Sequence, residues 1–543
     1  MAEGFSRETA SHELRESQES VLTILHFNDV YEIESRHEEP VGGAARFATA
    51  VKEFHYLNPF VVFSGDCLNP SLLSMITRGK HMVDILNQLG VHCAVIGNHE
   101  FDFGVDVLEE LTPQMNFPWL LSNVYDRFTS QMLGHGVENT IVTWNGLKIG
   151  LMGLVEEEWL DTLGTVNKTN IQYVDYVSTA DRLSEQLRAK GAELVIALTH
   201  MRWCNDIRLA SESKGLDLIL GGHDHEYGVL EVNGIVIVKS GSEFRYLSKV
   251  DVVLNADMTY GFSVQKISIC SRFEEDPGIK EIVHKYRNDA QFLQDEVLCH
   301  TDMELDGRFG TVRRRECSLG NLITNAMLEA THAEVAILNS GTLRSDRMHP
   351  AGKITMYDLM QILPLVDYVV TLEATGRTLY EGLENGVKNY PALDGRFPQV
   401  AGVQFGFDPK AQPGCRIVPE TIRIQGQTLD MDKKYLVAMK EYLAKGKDGY
   451  TMFSNCKRVF DIENAQTLST ILINHFESGN IVKGLKTCKS GHRMGLIKVS
   501  CSPSVTAIEE DTAKVTDLGV TIVPRVEGRI FHLSKDSQSQ TDS

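Results

Sequence analysis

The stretch VLTILHFNDVYEI, Val21 to Ile33, runs from an apolar segment straight into Asn28, Asp29 and Tyr31. A continuous Val/Ile/Leu run of this kind suits a strand buried on both faces, which leaves the polar residues at its carboxyl end. The pattern recurs downstream. Segments TILHF, FVVFSG, HCAVIG, LKIGLMGL, ELVIALTH and LDLILGGH alternate with amphipathic stretches such as AARFATAVKEFHYL and DYVSTADRLSEQLRAKG. The alternation predicts an α/β region, a sheet sandwiched between helices, with GIVIVKSG and YLSKVDVVL completing it as hairpins.

What stands at the carboxyl end of each strand carries the chemistry. The first delivers Asp29 and the second Asp66 (VVFSGD). The third gives Asn98, His99 and Asp102 (AVIGNHEFD), a later one His200 (IALTH), and the last His223 and His225 (LGGHDH). Ligands of open α/β sheets bind outside the carboxyl ends of the strands, so these side chains are expected to converge. One such aspartate is ordinarily a helix cap, and one buried histidine is ordinarily core. Five strands each ending in a metal-capable or proton-carrying group are not explained that way. Asp, Asn and His together suit Zn, Mn, Co or Fe, whereas Ca would want an all-oxygen shell. Two such ions roughly 3.5–4 Å apart would clamp an in-line displacement at phosphorus and lower the pKa of a bridging water. Asp66 is the carboxylate placed to bridge them.

At 543 residues the chain exceeds what one hydrophobic core usually serves, so two domains are expected. Its formal charge of −20 argues against nucleic acid or an anionic membrane as partner. No run of about 18 apolar residues occurs, which argues against a membrane span. The polar opening, residues 1–20, lacks an apolar signal core and reads as a disordered arm. Ten cysteines without a CxxC pair then read as free thiols in a reducing cytoplasm. The first α/β region is bounded at 21–273. EEDPGIKEIVHKYRNDAQFLQDEVL predicts a linker helix over 274–298, a second α/β domain follows over 299–478, and 479–543 reads as a C-terminal extension.

The motifs ILHFNDV, GG..AR (Gly42 to Arg46), SGD, GNHEFD, LTH and GGHDH, in this order, resemble the metallophosphoesterase domain of the 5′-nucleotidase family, a calcineurin-like fold. RRRECSLGNLITNAM, LNSGTLRSD and KGKDGY resemble the same family's C-terminal substrate-binding domain. The resemblance covers about Val21 to Ser478. It implies a four-layer β-sandwich flanked by helices, a linker helix and a second α/β substrate-binding domain. It further implies a site of two divalent metal ions, one on Asp29 and Asp66, the other on Asp66, Asn98, His200 and His223. His99, oriented by Asp102, would stabilise charge on the transferred phosphoryl group. The implied activity is a phosphoric ester hydrolase acting on small molecules, nucleoside 5′-monophosphates or related esters. Cyclic-nucleotide phosphodiesterase, nucleotide-sugar pyrophosphatase and a non-catalytic binding protein on the same fold are the alternatives. The oligomeric state stays open.

Two departures fall in the metal motifs. The family usually has histidine where this chain has Tyr31, and commonly Asn or Gln where it has His225. A nitrogen lost at one position is thus regained at another, leaving Asp29, Asp66 and His225 for the first ion. Tyr31 either packs beside them or, ionised, ligates ferric iron. In the second domain Arg313, Asn339, Arg344 and Asp448 align with nucleotide-holding positions. The two rings that sandwich the base fall at Leu365, where the family tends to have Phe, and at Tyr442. An aromatic stacking contribution of about 0.5–1.5 kcal/mol is therefore expected to be missing at Leu365.

Overall fold

The computed structural model describes residues 20–482 and 521–533, apart from 164, 256, 258, 294, 295, 461, 462 and 464. The arm expected over 1–20 lies outside the described residues except for its last residue, as do 483–520 and 534–543 of the expected extension.

The first α/β region holds two sheets, not one. Strands Tyr260–Ser268, Tyr246–Leu254, Leu22–Phe27, Phe60–Phe63, Cys93–Val95 and Trp119–Leu120 form one sheet in that order. Tyr227–Val232, Ile235–Ser240, Leu218–His223, Leu194–Met201, Leu147–Val155 and Asn139–Trp144 form the other. Each has a parallel centre and antiparallel pairing toward an edge. The sheets pack face to face: Ile24, Phe60, Val62 and Val95 of the first share a core with Ile149, Leu151, Ile196 and Leu220 of the second. The opposite face of the first sheet, with Leu25, Val61 and Phe63, is covered by helices Ala44–Lys52 and Lys80–Leu89. That of the second, with Val195, Ala197 and Ile219, is covered by Tyr176–Ala189 and Trp203–Glu212. The result is a four-layer sandwich, helix, sheet, sheet, helix. An apolar run marks a strand covered on both faces but does not say whether a helix or a second sheet covers it, so the single sheet read from the runs gives way to the four-layer sandwich that the family resemblance implies.

Helix Pro277–Leu293 falls within the 274–298 stretch and lies against the helices Ala44–Lys52, Leu72–Thr77 and Lys80–Leu89. Beyond it, the five-stranded mixed sheet Pro398–Ala401, Val335–Asn339, Lys434–Lys440, Val369–Thr375, Lys457–Phe460 organises the second unit. Residues of the 479–543 stretch return to this unit. Strand Thr521–Ile522 pairs with Val297–Thr301, and Ile530–His532 pairs with Val403–Phe407.

Candidate active site

Strand ends of the two sheets meet at one edge of the sandwich. Asp29, Asp66 and His223 each take a positive φ there, +53°, +67° and +74°, a region non-glycine residues rarely adopt. The turns that hold them are secured from behind. The Glu100 carboxylate accepts the backbone N–H groups of Asp66, Cys67, Leu68 and Gly97 at 2.7–3.3 Å. Buried Lys239 bonds Asp206, Asp224 and the Gly222 carbonyl at 2.6–2.9 Å, pinning the turn after His223. Gly222 has no room for a side chain: a Cβ there would lie well inside contact distance of the Ser64 carbonyl and 2.8 Å from His200 Nδ1.

Among the described residues, Asp66, His200 and His223 bring ligand atoms within 4.8 Å of one another, all three buried. His200 donates Nδ1–H to the Ser64 carbonyl at 2.8 Å, which points Nε2 toward Asp66 Oδ2, 3.1 Å away. His200 Nε2 has that carboxylate contact but no hydrogen bond of good geometry, and neither ring nitrogen of His223 nor Asn98 Oδ1 has a hydrogen-bond partner. Buried polar atoms are normally satisfied, so these imidazoles beside Asp66, with Asn98 Oδ1 unsatisfied as well, are what a cation would complete. Burial, with the His200 charge beside it, pushes His223 well below the usual imidazole range. It is thus neutral and ready to ligate, whereas His200, which burial alone would lower, is raised to about 9 by the Asp66 carboxylate and must give up its proton when a cation takes that place. These residues fit a divalent ion.

The other half of the expected set is arranged differently. Asp29 Oδ2 accepts the His223 backbone N–H at 2.9 Å, and Asp29 Oδ1 lies 3.4 Å from His225 Nε2. Tyr31 is buried, and its hydroxyl stands 3.1 Å from Asp29 Oδ1, 3.2 Å from Asp66 Oδ2 and 3.2 Å from His225 Nε2. Asp29, Asp66 and His225 therefore surround a phenol. Burial, together with the Asp66 and Asp29 carboxylates, pushes the pKa of this phenol upward.

His99 lies beside the orphaned atoms but is itself partnered. Its Nδ1 donates to Asp102 Oδ2 at 2.8 Å, its backbone N–H donates to Asp66 Oδ1 at 2.9 Å, and Nε2 is 4.0 Å from Asp66 Oδ2. Burial alone would lower its pKa, yet the Asp102 and Asp66 carboxylates raise it to about 10. An imidazolium aimed at an anion is what this pair can supply.

In the second unit Asn339 and Tyr442 come together on Asp448, donating to its two carboxylate oxygens at 2.8 and 2.9 Å. Behind them Lys440 bonds Thr342 at 2.9 Å and Asp367 at 2.6 Å, and Thr342 donates to Asn339 Oδ1 at 2.8 Å. Arg313 stacks on Phe309, 3.9 Å from the ring centroid, and donates to the Leu393 carbonyl at 3.1 Å. Burial and the neighbouring Arg344 charge lower its pKa. Two guanidinium groups close together suit an anionic ligand. Leu365 and Tyr442 are 54% and 42% exposed, open to a ligand. Sequence reasoning missed Glu100 and Lys440. An acidic residue inside GNHEFD was the signal for the first, and nothing in the pattern marked the second.

Comparison with known proteins agrees with this fold. Residues 22–227 match the calcineurin-like phosphoesterase family and residues 297–455 the 5'-nucleotidase C-terminal domain. The 5'-nucleotidase of Bos taurus is 28% identical over 495 residues, covering 80% of this chain and 85% of the relative. The NAD nucleotidase of Haemophilus influenzae has a similar fold, with a TM-score of 0.71 at 18% identity over 84% of this chain and 96% of that one. The 5'-nucleotidase precursor from Thermus thermophilus is similar with a TM-score of 0.51 at 22% identity over 95% and 99% of the two chains.

Proposed function

This chain belongs to the metallophosphoesterases of the 5'-nucleotidase type, and from that premise we propose that it hydrolyses nucleoside 5′-monophosphates or closely related phosphate monoesters. The observation that carries the reading is the buried cluster of Asp66, His200 and His223, with both ring nitrogens of His223 unpartnered and the His99–Asp102 pair beside it. Asp66, Asn98, His200 and His223 would hold one divalent ion. Asp29, Asp66 and His225 offer donors to a second, with the Tyr31 hydroxyl among them. Bound there, divalent ions supply Lewis-acid neutralisation of phosphate charge and an activated water.

The chain's own residues do the rest. His99, charged and fixed by Asp102, donates a hydrogen bond to a phosphate oxygen as negative charge accumulates during transfer. Glu100 holds the Asp66 turn rigid while this happens. Arg313 and Arg344 attract the anion, and Asp448, held between Asn339 and Tyr442, accepts hydrogen bonds from sugar hydroxyls. Leu365 offers the base apolar area without a stacking ring, so base preference is weak. Among the described residues no helix is long and apolar enough to cross a membrane. Eight described cysteines are unpaired, which supports a reducing compartment, the cytoplasm.

Purified protein assayed against nucleoside 5′-monophosphates, an aryl phosphate, a cyclic nucleotide and a nucleotide sugar tests the proposal. Monophosphates are expected to be cleaved with the highest kcat/KM. A preference for the cyclic nucleotide or the nucleotide sugar would move the activity to diester or pyrophosphate cleavage.

A further inference from the structure

The back of the His99–Asp102 pair is built from the second unit. Asp102 Oδ2 is shared by His99 Nδ1 at 2.8 Å and Asn69 Nδ2 at 2.6 Å. Its other oxygen, Oδ1, accepts from Gln466 Nε2 at 3.2 Å, and its backbone carbonyl accepts from Asn474 Nδ2 at 2.5 Å. Asn69 also reaches Thr470 Oγ1, at 3.2 Å. Gln466, Thr470 and Asn474 recur at every fourth position, from just before the start of helix Leu468–Val482 into its second turn. Side chains at that spacing share one face of a helix. From one stripe, Gln466 therefore holds the carboxylate that orients His99, Asn474 holds the backbone carbonyl of the same residue, and Thr470 holds Asn69, which itself bonds that carboxylate. Asp102 is 4% exposed, Gln466 8% and Thr470 0%, so no solvent substitutes for these contacts. A little further along, Glu477 pairs with Arg78, which also bonds Glu296 at 3.1 Å, fixing the helix against the first unit.

A carboxylate with one oxygen on an imidazole turns about its Cβ–Cγ bond unless the second oxygen is held. Gln466 is what holds it. We propose that Gln466, supported by Thr470 and Asn474, is a positioning residue for the His99–Asp102 pair, so that the second unit sets the geometry of phosphoryl transfer in addition to binding substrate. The inference rests on the phosphohydrolase reading above. It separates two roles for the second unit, since an aryl phosphate bypasses the Asn339–Asp448 cluster but not the grip on Asp102.

The test is a double-mutant cycle on the full chain with an aryl phosphate as substrate. Gln466→Leu is expected to lower kcat about 10-fold, within the 10- to 100-fold range typical of groups that orient catalytic ligands. KM should stay within about two-fold, and metal content per chain should be unchanged. In an Asp102→Ala background the same substitution should change kcat by less than about two-fold, because two residues acting as one unit are non-additive. Thr470→Val, nearly isosteric, should reproduce a smaller loss, about three-fold, that likewise disappears in the Asp102→Ala background. It keeps the question decidable if Gln466→Leu folds poorly. An unchanged kcat in the single variants, or a full additive loss in the Asp102→Ala background, overturns the inference. A wild-type chain inactive on every ester would overturn the activity reading itself, whereas additive losses in an active chain would overturn only the role of Gln466.

Discussion

The hydroxyl of Tyr31 lies 3.2 Å from Nε2 of His225, and both groups reach Asp29 Oδ1, at 3.1 and 3.4 Å. The tyrosine thus stands in the midst of the carboxylates and imidazole, and in the proposed ligand set His225 is the nitrogen donor beside Asp29. A neutral phenol is a weak ligand beside these groups. His225→Ala is therefore expected to cost one metal equivalent per chain by elemental analysis, whereas Tyr31→Phe, which keeps the ring, should leave the content nearly intact. If instead iron-loaded protein shows a visible absorption band that Tyr31→Phe bleaches, Tyr31 is a phenolate ligand and the roles are reversed.

His99→Asn should lower kcat by about 10² to 10⁴ while metal content holds, because His99 is bonded to Asp102 and is not one of the orphaned ligand groups. Loss of a metal equivalent in this variant would place His99 among the ligands.

Asp448→Ala and Arg344→Ala are expected to raise KM for a nucleoside monophosphate well above any change for an aryl phosphate. The motive is the pair of hydrogen bonds that ties Asp448 to Asn339 and Tyr442, far in sequence from every metal motif. Leu365→Phe should act in the opposite sense and tighten nucleotide binding. Equal effects on both substrates would mean that this cluster does not read the nucleoside.

Gly222→Ala should both destabilise the fold by about 1–3 kcal/mol and reduce metal binding, since the added methyl group would drive into the Ser64 carbonyl and the His200 ring. Thermal unfolding read beside metal content checks it. An alanine variant with wild-type values for both would show that the turn has slack the close contacts do not suggest.

Much of the site could be read from the chain because each strand ends on its functional residue. Asp29, Asp66, Asn98 and His223 follow apolar runs directly, and a parallel strand's carboxyl end is a fixed place in the fold. The number of sheets could not be read the same way. Ile24 faces another sheet while Leu25 faces helices, and both environments select the same side chains. The phenol among Asp29, Asp66 and His225 was equally hidden, since the sequence shows that Tyr31 replaces a histidine but not where its hydroxyl points. Gln466, Thr470 and Asn474 look like ordinary polar positions of a helix. Their meaning comes from Asp102, more than 360 residues earlier, and no local pattern carries that distance.

Hydrolysis by this chain is expected to depend on ions held by Asp66, Asn98, His200 and His223. Chelator-stripped protein, verified by elemental analysis and assayed on an aryl phosphate before and after addition of Mn, Zn, Co or Fe, measures this directly. Activity is expected to vanish on stripping and to return with at least one of these metals in wild-type protein, but not in His223→Ala. Full activity in the metal-free preparation would contradict the account.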